Sequence, residues 1–384
     1  YIDRDDTADS VYVKLQRDLN ATHLTGFKML ARLKKYDQQI HSGAYRFDAS
    51  INTLTLFRRL SSGHQTPVKV VIPSVRTLSR LARSLDRQLM PDSTEFARLV
   101  GDSAFCASLG FSLETMPALF IPNTYEAYLN TDAEAFIQRM KKEYERFWTQ
   151  ERKDKAQACG LTPVEVSTLA SIVEEETANK SEMPMVAELY LNRLQAGMPL
   201  QADPTIKFSL QEFGLRRILH KHLEVESPYN TYKHAGLPPG PIRIASIQGI
   251  ESVLNHAQHD YLYMCAKEDF SGTHNFAATF AEHQANARRY QQGIKDRGSH
   301  GDRREGHAAQ RHQRASRHGD VHPDVAAADQ GGQDAPQHGS SAHPGHQHGS
   351  HGAEIVAAAG DFLGHLDGHQ HDRAAEEPEV ADAH

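Results

Sequence analysis

Apolar residues recur at helical spacing along most of the chain up to about residue 295, and strand-like alternation is confined to short pieces. The spacing predicts amphipathic helices in VYVKLQRDL and FKMLARLKKY, within residues 11–40. A strand-like piece follows around Tyr45 and Phe47, then a helix from Asn52 to Leu60 stopped near Gly63, and a strand from Val68 to Ile72 ended by Pro73. Helical periodicity returns over Thr77 to Met90 and Ser93 to Leu109, with Pro91 as the break. The segment LFIPNTYEAYLNTD reads as turn-rich and aromatic, and Ala133 to Lys155 reads as one long charged helix.

The densest signals lie between Thr162 and Phe208. Thr162, Pro163 and Glu165 read as an N-cap, a proline at the first helical position and a capping-box glutamate, so a helix should start here and run to about Thr177. At about 100° per residue, Val166, Leu169, Ala170 and Val173 share an apolar face, Glu175 lies opposite it, and Glu174 and Glu176 flank its edges. A second helix is expected from Glu182 to Ala196, stopped at Gly197, followed by the loop MPLQADPTIKF. Residues 211–227 are charged and partly helical, and SPYNTYKHAGLPPGPIRIAS is long, irregular and rich in Pro, Gly, Asn and Tyr, as functional loops often are. Ile247 to Ala257 should be a helix, YLYMCAK a buried strand, and Phe280 to Ile294 a closing helix.

Charge divides the chain at about Asp296. Residues 297–384 hold 7 arginines and 14 acids, which accounts for the whole formal charge of −7 and leaves residues 1–296 neutral. A neutral body argues against nucleic acid, because counterion release needs a basic footprint. The tail also carries 14 of the 24 histidines and no lysine, a composition that cannot bury enough apolar surface to order itself and that also fits an out-of-frame extension. The three cysteines are far apart and make neither a disulfide framework nor a metal signature. No apolar run is long enough to span a membrane.

The acids are the candidate chemistry. Glu174 and Glu176 project about 200° apart around a helix and cannot flank one glycosidic bond as a pair. Asp203 is the better second acid, although Asp-Pro is also an ordinary turn starter. On the residues alone, the three glutamates also fit a solvated helix end, and the choice between Glu174 and Glu176 stays open. No GxSxG, P-loop, HExxH or CxxC pattern competes.

ASIVEEET, LNRLQAGMPLQADPT, YNTYKHAGLPPGPI and GTHNFAATFAEH, in that order, resemble the successive motifs of the YceG-like family of endolytic murein transglycosylases. More loosely, SGAYRF with FRRLSSG resembles the family's LysM-like module, and LFIPNTYEAY its aromatic segment. One departure is that Ser74 and Val75 stand where relatives usually carry Glu-Gly. The resemblance implies an α+β fold: an N-terminal region with the LysM-like module over residues 1–75, a helical connecting region over 76–160, a mainly helical catalytic core over 161–295, and a disordered tail over 296–384.

The resemblance further implies that Glu174 is the catalytic acid and that Gln201, Asp203, Thr205, Tyr229, Asn230 and Thr231 line a glycan cleft. No metal or cofactor is expected. The implied reaction breaks the bond between N-acetylmuramic acid and N-acetylglucosamine without water, leaving 1,6-anhydro ends. One carboxyl group donates a proton to the leaving oxygen and then takes one from the C6 hydroxyl, and the first step calls for a glutamate raised from about 4.3 to about 6. The implied partners are peptidoglycan glycan strands and cell-wall synthesis proteins. The implied location is the outer side of the cytoplasmic membrane, held by an N-terminal transmembrane helix that is not among these residues. Two alternatives are a hydrolytic muramidase using Asp203 and a non-catalytic peptidoglycan-binding scaffold.

Overall fold

The computed structural model describes residues 1–19, 24–48, 50–215 and 217–297, so the expected disordered tail lies almost wholly outside the described residues. The chain divides into two compact units, Tyr1–Asp260 and a second that begins at Tyr261.

The first unit opens with α1 (Ala8–Leu19), α2 (Thr25–Leu33), a 3₁₀ turn at Tyr36–Gln38 and α3 (Thr53–Ser61). Val11, Leu15, Phe27, Tyr36, Phe57 and Leu60 bury themselves between these helices, with Phe27 edge-on to Phe57 at 5.6 Å between ring centroids. Asn52 caps α3 by accepting from the Thr55 amide at 2.8 Å. The strand expected around Tyr45 and Phe47 does not form. Its residues lie beside no pairing strand; the Arg46 amide donates instead to the Thr66 hydroxyl at 3.1 Å, and the two rings stack on each other at 6.2 Å.

The strand expected over Val68 to Ile72 is β1 (Val68–Val71). It is followed by α4 (Leu78–Asp86), α5 (Ser93–Val100), α6 (Ser103–Ser108), a 3₁₀ turn at Met116–Leu119 and β2 (Thr124–Ala127). β1 and β2 form an antiparallel pair with Val68 opposite Ala127 and Val71 opposite Thr124. The turn-rich reading of LFIPNTYEAY missed β2, because its signal is four residues long and its partner lies more than fifty positions earlier. Asp102 ends the helix expected to continue to Leu109 by capping α6 through the Ala104 and Phe105 amides.

The long charged helix is broken in two, α7 (Ala133–Phe147) and α8 (Gln150–Ala158), with buried Trp148 at the break and Thr149 capping the second piece. Next come α9 (Pro163–Glu176), α10 (Met183–Gln195), α11 (Asp203–Leu210), the short α12 (His220–Leu223) and α13 (Ile247–Leu254). α9 is the hub. It packs against α8, α10, α11 and α13, and Val166, Leu169, Ala170, Ile172 and Val173 are fully buried. Its start is as expected: Thr162 accepts from the Glu165 amide while Glu165 accepts from the Thr162 amide at 2.7 Å. The expected QADPT loop is a correction, since Asp203 is already the first residue of α11.

The second unit holds β3 (Tyr263–Ala266) and β4 (His274–Ala277), paired antiparallel with Tyr263 opposite Ala277, and a closing helix α14 over residues 280–297. The hairpin partner β4 was not anticipated. Among the described residues, no helix is long and apolar enough to cross a membrane.

Candidate active site

Three consecutive glutamates end α9, and each meets a different environment. Glu176 is buried and accepts a hydrogen bond from the Tyr190 hydroxyl of α10 at 2.8 Å. Glu175 receives the Arg76 guanidinium through two bonds, at 2.8 and 2.7 Å, and an Arg243 nitrogen at 3.0 Å. The fork of Arg76 closing on this carboxylate holds the arginine in its charged form more firmly than usual.

Glu174 points at the start of α13. Its Oε2 accepts from the Ser246 amide at 2.9 Å, its Oε1 accepts from the Ser246 hydroxyl, and Arg243 Nε stands 3.7 Å from Oε2. Ser246 is the N-cap of α13, and its hydroxyl oxygen accepts from the Gly249 amide at 3.0 Å, which leaves its hydrogen to point at Glu174. Gly249 makes the approach possible, since a Cβ there would lie 2.8 Å from Glu174 Cδ. The side chain of Glu174 is only 8% exposed, yet it remains at the edge of the fold.

An extended segment supplies these donors. The amides of Ile242, Ile244 and Ser246 donate in turn to the Ser171 hydroxyl of α9, the Val75 carbonyl and the Glu174 carboxylate, at 3.0, 2.8 and 2.9 Å. The GLPPG turn that delivers this segment needs its last glycine, because a Cβ on Gly240 would fall 2.0 Å from the Glu114 carbonyl oxygen.

The six further residues carried by the motif resemblance form a connected wall. The Gln201 amide donates to the Thr231 carbonyl at 3.0 Å, and Gln201 itself sits in the left-handed backbone region with φ of 50°. The Thr231 hydroxyl accepts from the Ala202 amide at 3.0 Å and meets the Thr205 hydroxyl at 2.9 Å. Asn230, fully buried, gives its amide hydrogens to the Leu223 and Val225 carbonyls and accepts from the Tyr232 amide. Thr205, Asn230 and Thr231 thus hold the wall from within, whereas Gln201 and Tyr229 are half-exposed on it.

Asp203 accepts from the Tyr232 hydroxyl at 2.5 Å. Burial pushes its carboxyl above the usual 3.8, partly opposed by that hydroxyl and by Lys207. Tyr229 lies 4.7 Å from Phe208 between ring centroids, and burial pushes its hydroxyl up to about 12. Between α9 and α11 lies a small groove of about 10 Å³, lined by Arg76, Glu175, Pro204, Lys207, Phe208, Phe213 and Ile242 and by neither Glu174 nor the six wall residues. Among the described residues, no group of three or more His, Cys, Asp or Glu side chains is placed to hold a metal ion.

Sequence reasoning did not find Ser74, Arg76, Arg243, Ser246 or Gly249 as parts of this site. Ser246 before an apolar helical run carried a readable capping signal. Its service to Glu174, 72 residues away, carried none.

The YceG-like family profile matches residues 1–289, and the chain belongs to that family. It is similar to the endolytic murein transglycosylase of Bacillus subtilis, at 34% identity over 198 residues, covering 51% of this chain and 53% of that protein. It is also similar to the endolytic murein transglycosylase of Streptococcus pneumoniae, at 30% identity over 274 residues, covering 62% of this chain and 49% of that protein. The chain therefore spans about half the length of the curated relatives it matches. A yceG-like protein of Listeria monocytogenes of solved structure aligns over 74% of this chain and 97% of its own, with a TM-score of 0.49 and 26% identity.

Proposed function

We propose that the protein is an endolytic lytic transglycosylase of peptidoglycan, with Glu174 as the single catalytic acid and base. The observation that carries this reading is the placement of the Glu174 carboxylate: nearly buried, both oxygens addressed by Ser246, and on the same helix end as the glutamate lining the groove. In the first step Glu174 gives its proton to the glycosidic oxygen as the bond from muramoyl C1 to that oxygen breaks. In the second, the C6 hydroxyl oxygen of the same sugar bonds to C1 and its proton passes to the Glu174 carboxylate. The donor ends the cycle protonated, no water is consumed, and the tethered hydroxyl supplies the proximity that a captured water would otherwise have to gain.

The wall of Gln201, Asp203, Thr205, Tyr229, Asn230 and Thr231 lines the glycan cleft. Gln201 and Tyr229 face the sugars, and the buried members fix their position. Asp203 is occupied by Tyr232, which favours Glu174 acting alone over a hydrolytic pair. The N-terminal region, residues 1–75, includes the LysM-like module, whose β1 pairs with β2, and residues 161–295 form the catalytic core. The protein works on the outer side of the cytoplasmic membrane, anchored there beside the cell-wall synthesis proteins.

Glu174→Gln is expected to abolish anhydro-ended muropeptides from purified peptidoglycan while leaving circular dichroism and melting unchanged. Mass analysis of the products separates anhydro ends from hydrolytic ends by one water per cut. Full activity in Glu174→Gln, with loss in Glu176→Gln, would transfer the role to Glu176. Products carrying reducing ends would replace this reaction with hydrolysis, and undiminished binding of peptidoglycan without turnover in the intact chain would replace it with a scaffold.

A further inference from the structure

Arg243 joins three segments at the acid, and no motif pointed to it. Its Nε and one terminal nitrogen donate to the Ser74 hydroxyl at 3.2 and 2.9 Å, and the same terminal nitrogen reaches the Ser74 carbonyl at 3.4 Å. The other terminal nitrogen donates to Glu175 at 3.0 Å, and Nε faces Glu174 Oε2 at 3.7 Å. The Ser74 hydroxyl passes its own hydrogen to the Ile244 carbonyl at 2.6 Å, so it fixes both the arginine and the segment that carries it.

We propose that Arg243 is a positioning residue that holds the Glu174 carboxylate in place and stabilises the negative charge it carries once its proton has passed to the leaving oxygen, with Ser74 and Glu175 holding the arginine in place. The proposal rests on the reading of Glu174 as the proton donor. A cation at this distance stabilises the charge that the carboxylate carries after the first proton transfer.

The other charged groups on the elements around α9 have partners of their own. Glu251 of α13 pairs with Arg152 of α8, Glu188 of α10 with His256, and Lys155 of α8 with Glu151. Glu182, the residue before α10, accepts from Thr177, and Asp203 of α11 accepts from Tyr232. Arg193 of α10 donates to the Leu200 carbonyl, and Glu176 accepts from Tyr190. Arg76 is spent on Glu175, and Lys207 lines the groove on the Glu175 side. Among the described residues, Arg243 is placed 3.7 Å from the Glu174 carboxylate.

The test is anhydro-product release from purified glycan strands, read as kcat and KM, by full-length Arg243→Gln, Arg243→Lys and Ser74→Ala, with Glu174→Gln in parallel. Arg243→Gln is expected to lower kcat by about tenfold with KM little changed, the size of a unit-charge interaction at this separation in a water-like dielectric. Arg243→Lys, which keeps the cation, is expected to restore most of kcat. Ser74→Ala, which keeps the arginine but frees it, is expected to lower kcat by less, and it serves if Arg243→Gln does not fold. An unchanged kcat in folded Arg243→Gln, or in Ser74→Ala where it stands in, overturns the proposal, as does an equal loss in Arg243→Lys and Arg243→Gln. Activity surviving in Glu174→Gln overturns the underlying reading of the acid instead, whatever Arg243 does.

Discussion

Replacing Gly249 by alanine puts one methyl group where the Glu174 side chain now lies. An ideal Cβ at this position stands 2.8 Å from both Glu174 Cγ and Cδ and 3.1 Å from Oε2, well inside the 3.4 Å at which ordinary contact begins. The carboxylate must therefore retreat by about 0.6 Å or more, away from Ser246, or the N-terminus of α13 must move. A displacement approaching 1 Å at a reacting group costs on the order of 10²-fold in rate. The fold should hardly notice, because alanine in a helix is favoured over glycine by about 0.5–1 kcal/mol, which offsets much of the local crowding. Gly249→Ala is thus expected to lose about a hundredfold in kcat for release of anhydro-muropeptides, with KM for glycan strands and the melting temperature nearly unchanged. Chromatography and mass analysis of the products, with differential scanning calorimetry on the same preparation, read both. Activity at the parent level would refute the placement of the reacting carboxylate against α13, and loss of activity together with a collapse of Tm would make Gly249 a packing residue instead.

Two further variants probe the scaffold of the site. Thr162→Ala removes the hydroxyl that accepts from the Glu165 amide at the start of α9, which should cost about 1 kcal/mol and lower Tm by about 2–4 °C without changing the product type. Asp203 has a folded-state carboxyl raised above the unfolded 3.8, so the folded protein binds more protons than the unfolded chain above that pH, and stability falls as pH rises through the window between the two values. Asp203→Asn keeps an acceptor for Tyr232 and removes this dependence. Its Tm should exceed the parent's at neutral pH, with the gap closing as pH is lowered toward 3.8.

The legible parts of the fold are those whose bonds close within a few residues. Thr162, Pro163 and Glu165 announced α9 because all the groups that satisfy its first turn sit inside that tetrapeptide window. Gly197 stopped α10 for the same local reason. The break at Trp148 was not visible, since Ala133 to Lys155 is helix-favouring throughout and the interruption answers to the burial of one indole. The pairing of Val68 with Ala127 was hidden because the two strands are short and separated by α4, α5 and α6. The start of α11 at Asp203 was mistaken for loop because Asp-Pro signals a turn and a helix N-terminus equally well.

The three glutamates show where periodicity stops. Helical geometry assigns each an angle around α9, and by that measure Glu174 and Glu176 are alike and Glu175 is the outsider. Their chemistry follows from groups that arrive from elsewhere in the chain. Tyr190 closes over Glu176, while Arg76 and Arg243 neutralise Glu175. Glu174 receives the amide and hydroxyl of a helix cap and faces a residue without a side chain. Glu175 is gripped by two arginines and Glu176 is sealed beneath a tyrosine, whereas Glu174 meets hydroxyl and amide donors with one arginine at a longer distance. The distinction rests on Ser246, Gly249 and Arg243, which lie within seven residues of one another and about seventy positions after the acid they serve.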